Sequence, residues 1–265
     1  MSAERPRRAV VVAAGMGRRL APYTDEMPKC LVPVRGRPML RRALDAFRAE
    51  GVTDCVVVRG YKAEVLEARR GELGPGVRFV ENADFQTNNI LQSLFHAEAD
   101  LGEAFLFSYA DIVFQPSVVT ELASASGEIC LVVDRRFRDI YEGRTEHPLP
   151  EAEVCSVDAA GFVDRVGKRA LPAGEAVGEF IGLAKLSTAG AAAFTDAYRR
   201  LAERYAGRED APFQRAPTWR NAYLTDLLQE LIDAGVRMTP VYIDGRWREI
   251  DTVQDLERAE ARVDW

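Results

Sequence analysis

A short buried strand that ends on a glycine turn constrains the fold of this chain more than any other feature. Residues 9–14 read AVVVAA, an apolar run rich in valine, which is typical of a strand buried on both faces of a sheet. Gly15 and Gly17 follow, and such a turn can leave backbone N–H groups facing open space. Arg18 and Arg19 come next. Because a sheet buried on both faces needs helices to cover it, this stretch predicts an α/β fold with an anion site at one sheet edge.

The next cation indicates which kind of anion would fit. Lys29 lies between Pro28 and a second apolar run at 31–34, so its positive charge is held where the chain is stiff. Glycines after a buried strand can be needed for steric reasons alone. Together with these cations, however, they suit the binding of a triphosphate. Two rival motifs are excluded. A Walker P-loop requires Gly-Lys followed by Ser or Thr, and a dinucleotide-binding turn requires an acidic residue about twenty positions on, where this chain has Arg35 and Arg37.

Composition narrows the class of molecule that the site would bind. The chain has 265 residues and a formal charge of −6 without a basic run, so we expect no nucleic-acid partner. No apolar stretch is long enough to span a bilayer or to form a separate leader, so we expect no membrane partner and a cytoplasmic location. The oligomeric state stays open between a monomer and a homodimer. A zinc site is not expected, because no C-x-x-C pair occurs and the cysteines and histidines are Cys30, Cys55, Cys130, Cys155, His96 and His147.

Strands and helices alternate through the first part of the chain. Residues 37–50 carry apolar side chains at helical spacing and stop at Gly51, before a strand at 54–59. A second helix at 62–70 leads to a strand at 77–81. Strand–helix–strand units of this kind pair in parallel, so we expect a mixed, largely parallel sheet with helices on both faces. Further strands are predicted at 104–109, 129–133, 154–158, 162–166, 178–186 and 238–243, and further helices at 189–204, 223–234 and 253–263.

Two aspartates are candidate metal ligands, one in the middle of the chain and one near its end. Asp111 stands after the strand 104–109, and open α/β sheets bind ligands at the carboxyl ends of their strands. Asp251 stands in the run GRWREIDT, just before the last helix. Carboxylate oxygens are the ligands that Mg²⁺ prefers. The alternative is structural: Asp111 would occupy a turn, and Asp251 or Thr252 would only cap the final helix.

A polar segment and a charged segment complete the list of candidate regions. In 82–94, Thr87, Asn88 and Asn89 either cap the following helix or face a nucleobase, which is recognised by paired donors and acceptors. The segment 134–153 interrupts the apolar pattern and is either a solvated excursion or part of a binding pocket.

Within and after that charged segment stand several further ionisable or aromatic candidates. A lysine follows the hairpin of the strands 154–158 and 162–166, and two charged residues interrupt the apolar strand 178–186, which indicates an edge or a site. The candidates are Tyr141, Arg144, His147, Glu153, Lys168, Glu179 and Lys185.

The combined motifs resemble those of a known family. A-A-G-x-G-x-R-L followed by P-K-x-L-x-P-V resembles the signature of the nucleotidyltransferases that make nucleoside-diphosphate sugars, CDP-choline and related compounds. W-x-E-I-D-T resembles the second metal-ligand element of that family. The elements T-N-N-I-L-Q-S-L and R-x-x-H-P-L resemble those of choline-phosphate and phosphonate cytidylyltransferases. The resemblance spans essentially the whole chain and implies one Rossmann-like (GT-A-like) domain over 1–265, with an acceptor-side excursion at about 134–186.

The resemblance also implies roles for individual residues. The nucleotide, with CTP favoured, would be bound by Ala13, Ala14, Gly15, Gly17, Arg18, Arg19, Lys29, Thr87, Asn88, Asn89 and Asp111. A small phosphorylated or phosphonate acceptor would be bound by Tyr141, Arg144, His147, Glu153, Lys168, Glu179 and Lys185. The expected catalytic residues are Arg19, Lys29 and Lys168. Mg²⁺, for which Mn²⁺ can substitute, would be held by Asp111 and Asp251.

The implied reaction is CTP-dependent cytidylyl transfer with release of pyrophosphate. A phosphate acceptor is already anionic at neutral pH, so the scarcity of histidine is compatible with this chemistry. The first alternative is a sugar-1-phosphate nucleotidyltransferase that uses dTTP, UTP or GTP. Alternatives of another class are a GT-A-like glycosyltransferase, which leaves Lys29 unexplained, and a nucleotide-binding module without catalysis.

Overall fold

The computed structural model describes residues 4–265. Its strands are β1 Arg8–Ala13, β2 Pro33–Val34, β3 Arg37–Pro38, β4 Asp54–Arg59, β5 Val77–Glu81, β6 Phe105–Tyr109, β7 Ile112–Phe114, β8 Ile129–Asp134, β9 Glu153–Val157, β10 Val163–Lys168, β11 Gly178–Leu186, β12 Met238–Ile243 and β13 Trp247–Glu249. Its helices are α1 Met39–Ala49, α2 Ala63–Ala68, α3 Ile90–Phe95, α4 Pro116–Ser124, α5 Phe137–Tyr141, α6 Thr188–Tyr205, α7 Leu224–Asp233 and α8 Val253–Arg262. None of these helices has the length and apolar character needed to cross a membrane.

The central sheet joins a parallel half to an antiparallel half. Its main path runs β10-β9-β11-β6-β1-β4-β5, and β8 pairs with both β11 and β12. Strand β1 is parallel to β4 and β6, and β4 is parallel to β5. Strand β11 runs antiparallel to β6, β8 and β9, while β12 is parallel to β8. The mixed α/β architecture expected from the sequence is confirmed.

The valine-rich strands are apolar throughout because both faces of the sheet are covered. Val11 packs in one core with Phe47 of α1, and Val10 packs in a second core with Phe107 and with Leu227 of α7. Successive side chains of a strand point to opposite faces, so one run of valines supplies both cores. The carboxyl ends of β1 and β6 therefore emerge together at one edge of a rigid sheet.

A glycine in β11 leaves room for an aromatic ring at the end of β6. Gly182 has φ +80°, and a Cβ there would lie 2.1 Å from the ring of Tyr109. The pairing of β11 with β8 shifts register between Phe180 and Ala184, around this glycine. Only a residue without a side chain allows that approach, so Gly182 fixes where the ring of Tyr109 lies at the end of β6.

A small two-stranded ribbon, which the sequence analysis did not predict, brings the end of the chain to β6. Strand β13 pairs antiparallel with β7. The indole Nε1 of Trp247 donates to Asp134 Oδ2 at 2.8 Å, and the backbone N of Ile250 donates to the carbonyl oxygen of Asp111 at 2.9 Å. These contacts place Asp251, the residue after Ile250, close to Asp111, which stands two positions beyond the end of β6.

Candidate active site

The glycine turn after β1 borders a cavity of about 390 Å³. Gly17 has φ +60°, and a Cβ there would lie 2.9 Å from Cβ of Lys29, so glycine is required for the lysine to approach the turn. The lining residues are Val12, Ala13, Ala14, Gly15, Gly17, Arg18, Arg19, Lys29, Cys30, Phe85, Asn88, Asn89, Ile90, Ser93, Ala110, Asp111 and Asp251.

Lys29 stands at the centre of an ionic cluster. Its Nζ donates to Asp111 Oδ2 at 2.7 Å and also contacts Asp251 Oδ1, while Arg19 Nη2 lies 2.7 Å from Asp251 Oδ2. Burial would lower the pKa of Lys29, but the charges of Asp111 and Asp251 outweigh burial and raise that pKa. Burial acts to raise the pKa of Asp251, yet Lys29, with His147 and Arg19, holds that pKa well below its usual range. Lys29 and Asp251 are therefore charged near neutral pH.

The structure gathers all but one of the residues expected to bind the nucleotide. The exception is Thr87, whose hydroxyl donates to the carbonyl oxygen of Asp84 at 3.1 Å and which lies on a neighbouring groove. Arg18, whose role the sequence left open, lines the cavity beside Arg19. The contacts of individual residues with a nucleotide stay predictions.

Amide side chains form one wall of this cavity. The buried Asn82 donates to Asn88 Oδ1 at 3.0 Å and to Ser93 Oγ at 2.7 Å, and Asn88 donates back to Asn82 Oδ1 at 3.1 Å. Asn89 caps α3, since its Oδ1 accepts from the backbone N of Ile90 at 2.8 Å. Asn89 thus caps a helix and lines the cavity at once, so the two alternatives considered for it are compatible.

A second cavity of about 150 Å³ meets the first at Asp111 and Asp251. Besides these two aspartates it is lined by Val12, Asn89, Ile90, Tyr109, Glu151, Glu153, Lys168, Glu179, Phe180, Ile181, Tyr223, Trp247 and Glu249. Carboxyl groups outnumber the single lysine of this lining. Molecules bound in the two cavities would meet at the ionic cluster, so the arrangement suits a reaction between two substrates.

Glu153 is a buried carboxyl group of the second cavity that titrates near neutral pH. Tyr109 donates to its Oε2 at 3.0 Å and Thr225 to its Oε1 at 3.3 Å. Burial raises the pKa of Glu153 to about 7, against the opposing charge of Lys168. Burial would lower the pKa of Lys168, but Glu153 and its neighbours raise it. Lys168 Nζ also lies 3.3 Å from Glu151 Oε2.

Three residues expected to touch the acceptor lie behind the cavity wall instead. Tyr141 donates to Glu179 Oε1 at 2.7 Å, and His147 Nδ1 lies 2.7 Å from Asp251 Oδ2. Arg144 donates to both carboxylate oxygens of Asp255, at 2.6 and 3.0 Å. None of the three lines the cavity. Contrary to the expectation, they contact residues of the cavity wall from behind and do not face the acceptor.

Lys185 also differs from its expected place. It stands on β11 opposite Leu106, near the start of β6, whereas the cavity lies beyond the end of β6. Its Nζ donates to the carbonyl oxygens of Ala123 and Ala125. Glu179 lies opposite Asp134 and Lys185 opposite Cys130, so the two side chains stand near opposite ends of β11. Glu179 therefore lines the cavity and Lys185 does not.

The lining of the second cavity includes residues that the sequence motifs did not indicate, among them Tyr109, Tyr223, Trp247 and Glu249. Tyr109 carried a usable signal, because alternate residues of a strand share a face and Tyr109, at the end of the predicted strand 104–109, precedes Asp111 by two positions. Tyr223, Trp247 and Glu249 carried no such signal, since Tyr223 precedes a helix and the other two belong to β13, a strand that was not predicted.

The donor set fits a divalent cation. Oδ1 of Asp111 is buried and has no hydrogen-bond partner among residues 4–265. Asp111 and Asp251 reach the same lysine amine, so both carboxylates can reach one ion, and carboxylate oxygens suit Mg²⁺. Ligand atoms of His147, Glu249 and Asp251 also lie within 4.8 Å of one another.

Comparison with known proteins identifies the class to which this fold and site belong. Residues 9–239 match the model of the MobA-like NTP transferase domain, so the chain belongs to that nucleotidyltransferase family. The family resemblance stated from the sequence motifs is confirmed.

Its relatives include enzymes named for cytidylyl transfer. The chain is 30% identical over 259 residues to the CTP:phosphoglutamine cytidylyltransferase of Campylobacter jejuni, covering 94% of this chain and 97% of that protein. The 2-aminoethylphosphonate cytidylyltransferase of Lancefieldella rimae is 31% identical over 164 residues, 60% of each chain. The solved structure of the inositol-1-phosphate CTP transferase from T. maritima superposes with a TM-score of 0.72 at 22% identity, covering 99% of this chain and 100% of that one, which shows a shared fold.

Replacing Arg144 tests whether this residue supports the wall. The change Arg144→Met leaves the carboxylates of Asp255 and Glu249 without their buried partner, so we expect the free energy of unfolding to fall by about 3–5 kcal/mol. The matched control is Arg136→Met, which breaks an exposed pair with Asp139 and should cost less than about 1 kcal/mol. Urea denaturation measures both. Equal losses in the two variants would contradict a structural role for Arg144.

The raised pKa of Glu153 predicts that the free energy of unfolding depends on pH. Between its ordinary pKa of 4.5 and its folded pKa of about 7, the unfolded chain loses this proton first, so stability falls as pH rises through that range. Glu153→Gln removes the effect. We expect the free energy of unfolding of wild type, relative to this variant, to fall by about 3 kcal/mol from pH 4 to pH 8.

Urea denaturation over that pH range is the measurement, with the exposed Glu175→Gln as the control that should show no such trend. Parallel stability curves for wild type and Glu153→Gln would show that Glu153 titrates normally.

Proposed function

We propose that this chain is a CTP-dependent cytidylyltransferase that joins CMP to a small phosphate or phosphonate acceptor and releases pyrophosphate. The observation that carries the proposal is the meeting of two cavities at Asp111 and Asp251, with Lys29 between the carboxylates. One cavity offers a glycine turn and arginines, which suit a triphosphate, and the other suits a small polar acceptor. Family membership and the cytidylyltransferase relatives support the same reaction.

The transfer requires alignment and charge neutralisation rather than a general base. An anionic oxygen of the acceptor's phosphate or phosphonate would attack the α-phosphorus of CTP. The new oxygen–phosphorus bond forms as the bond from the α-phosphorus to the oxygen that bridges to the β-phosphate breaks. That oxygen leaves with its electron pair as part of pyrophosphate. Because both reactants are anions, cations on each side of the α-phosphorus lower the barrier.

The residues of the two cavities supply those cations. The N–H groups of Gly15 and Gly17 and the guanidinium of Arg19 would bind the β- and γ-phosphates, Lys29 the α-phosphate, and Lys168 the acceptor. Lys29 is already charged, because its two aspartate partners raise its pKa, so no proton has to move when a phosphate approaches it.

Asp111 and Asp251 would hold Mg²⁺, for which Mn²⁺ can substitute. The buried Oδ1 of Asp111, which has no hydrogen-bond partner in the described part of the chain, supports this assignment. When bound, the ion would neutralise charge on the nucleotide's phosphates. Burying either carboxylate beside the cavity is favourable only with such a counter-charge, which Lys29 provides in the ligand-free protein.

The choice of substrates rests on the linings of the cavities. Asn88 and Asn89 offer amide groups to a base, and CTP is favoured by the relatives named for CTP. Glu153, Glu179 and Glu249 give the second cavity a carboxyl-rich wall beside aromatic rings, which favours an acceptor with an amino group over one whose phosphate is attached to an uncharged hexose. The cytoplasmic location expected from the sequence remains part of this proposal.

Pyrophosphate release across substrates tests the function. CTP, UTP, GTP and dTTP are each combined with 2-aminoethylphosphonate, phosphocholine, 2-hydroxyethylphosphonate and glucose-1-phosphate. We expect turnover with CTP and an amino-bearing acceptor, dependent on Mg²⁺ or Mn²⁺. If glucose-1-phosphate is turned over and the other three acceptors are not, the chain is a sugar-1-phosphate nucleotidyltransferase instead. If no combination of nucleotide and acceptor releases pyrophosphate, the proposed function is wrong.

Variants connect that activity to the site. Asp111→Asn and Asp251→Asn should each lower kcat by about two orders of magnitude, because each removes charge from the cation site. The control is Asp139→Asn, an exposed aspartate of α5 that lies outside both cavities and should keep wild-type turnover. Wild-type turnover in either site variant at saturating metal would show that this aspartate is only structural.

A further inference from the structure

Two groups of residues line the cavity that suits a triphosphate. Residues from the glycine turn to Lys29 supply cations and N–H groups for phosphates. The segment 85–93 contributes uncharged residues, which are Phe85, Asn88, Asn89, Ile90 and Ser93. An aromatic ring beside amides suits a nucleobase, which has apolar faces and a polar edge. Whether an amide offers that edge its N–H or its oxygen then decides which base fits.

Asn82, which the proposed reaction does not use, has an amide orientation that the backbone determines. The residue is fully buried, and its Oδ1 accepts from the backbone N of Asp84 at 3.0 Å. A backbone N–H can only donate, so the side-chain atom that it meets must be the amide oxygen. The other atom is therefore the nitrogen, and it donates to Asn88 Oδ1 at 3.0 Å and to Ser93 Oγ at 2.7 Å.

The fixed amide of Asn82 determines the orientation of Asn88 in turn. Oδ1 of Asn88 accepts from Asn82 and also from Ser93 Oγ at 3.3 Å, which occupies both lone pairs of this oxygen. Nδ2 of Asn88 donates one hydrogen to Asn82 Oδ1 at 3.1 Å, and its second hydrogen has no acceptor within residues 4–265. Turning this amide over would bring nitrogen against nitrogen and oxygen against oxygen, so the paired orientation is the stable one. Because Asn88 lines the cavity, it offers a ligand there an N–H donor.

We propose that Asn82 sets the preference for the nucleobase, because it holds the amide of Asn88 so that this N–H faces atom N3 of the base. Cytosine has a lone pair at N3 and accepts the hydrogen bond, whereas uracil has a hydrogen there and would bring two donors together. The inference rests on the proposed function, since it explains how that reaction selects CTP. Asn82 does not line the cavity, so it is a positioning residue that acts through Asn88.

An isosteric change separates the two contacts of Asn82. Asn82→Asp keeps an oxygen for the backbone N of Asp84 but cannot donate, so its carboxylate accepts from the Asn88 amide in either orientation. We expect the ratio of kcat/KM for CTP to that for UTP, measured with the acceptor that wild type turns over best, to fall by about ten-fold or more. The change should lie in the KM values of the nucleotides, because the base does not take part in the bond exchange.

The matched control is Gln86→Glu. It makes the same change from amide to acid at an exposed residue of the same loop, outside the cavity, so the ratio of CTP to UTP should stay at the wild-type value.

A second variant decides the question if urea denaturation shows that Asn82→Asp does not fold. Asn88→Asp keeps an oxygen toward Asn82 and Ser93 and replaces the free N–H by an oxygen, which can accept from the N3–H of uracil. We expect this variant to shift the ratio of kcat/KM toward UTP by about ten-fold or more relative to wild type.

The outcomes separate this inference from the proposed function. If either folded variant keeps the wild-type ratio, or if wild type uses CTP and UTP equally well, the inference is wrong and cytidylyl transfer stands. If wild type releases pyrophosphate with UTP but not with CTP, both the inference and the choice of CTP are wrong. If no nucleotide supports turnover, the proposed function is wrong and the inference fails with it.

Discussion

The ammonium group of Lys29 between the carboxylates of Asp111 and Asp251 is the interaction on which the rest of the site depends. The side chains of Lys29 and Asp251 are each 12% exposed and that of Asp111 is 29% exposed, so water screens their charges poorly. Leaving a buried charge unpaired costs about 3–5 kcal/mol. A cation must therefore stand between the aspartates before any substrate binds, and this cation borders the cavity that suits a triphosphate.

The fold brings these three residues together from distant parts of the chain. Asp111 follows β6, Lys29 stands in a short 3₁₀ turn packed against Gly17, and Asp251 follows β13. The β7–β13 ribbon closes the arrangement, since the backbone N of Ile250 donates to the carbonyl oxygen of Asp111. The central sheet fixes the end of β6, and the β7–β13 ribbon holds the end of β13 beside it. The two cavities meet where these constraints coincide.

Sequence patterns predicted those features of the fold that depend on the local order of residues. The bounds of β4, β5, β11 and β12 match the predicted ones. Buried apolar runs such as those of β1 and β6 also indicated the positions of the glycine turn and of Asp111, which follow them. The β7–β13 ribbon could not be predicted, because three-residue strands show no periodicity. Tyr141, Arg144 and His147 were expected at the cavity but lie behind it. The sequence could not show this, because the direction of side chains in the 134–153 excursion depends on packing against distant elements. The single domain over 1–265 stays a prediction.

Metal binding by the two aspartates tests the central claim most directly. Electron paramagnetic resonance of Mn²⁺, titrated into wild type, Asp111→Asn and Asp251→Asn in the presence of CTP, measures the affinity independently of turnover. If both carboxylates form one cation site, wild type should hold Mn²⁺ together with the nucleotide, and each variant should bind the ion about ten-fold more weakly or worse. Unchanged Mn²⁺ affinity in either variant would contradict a shared cation site at Asp111 and Asp251.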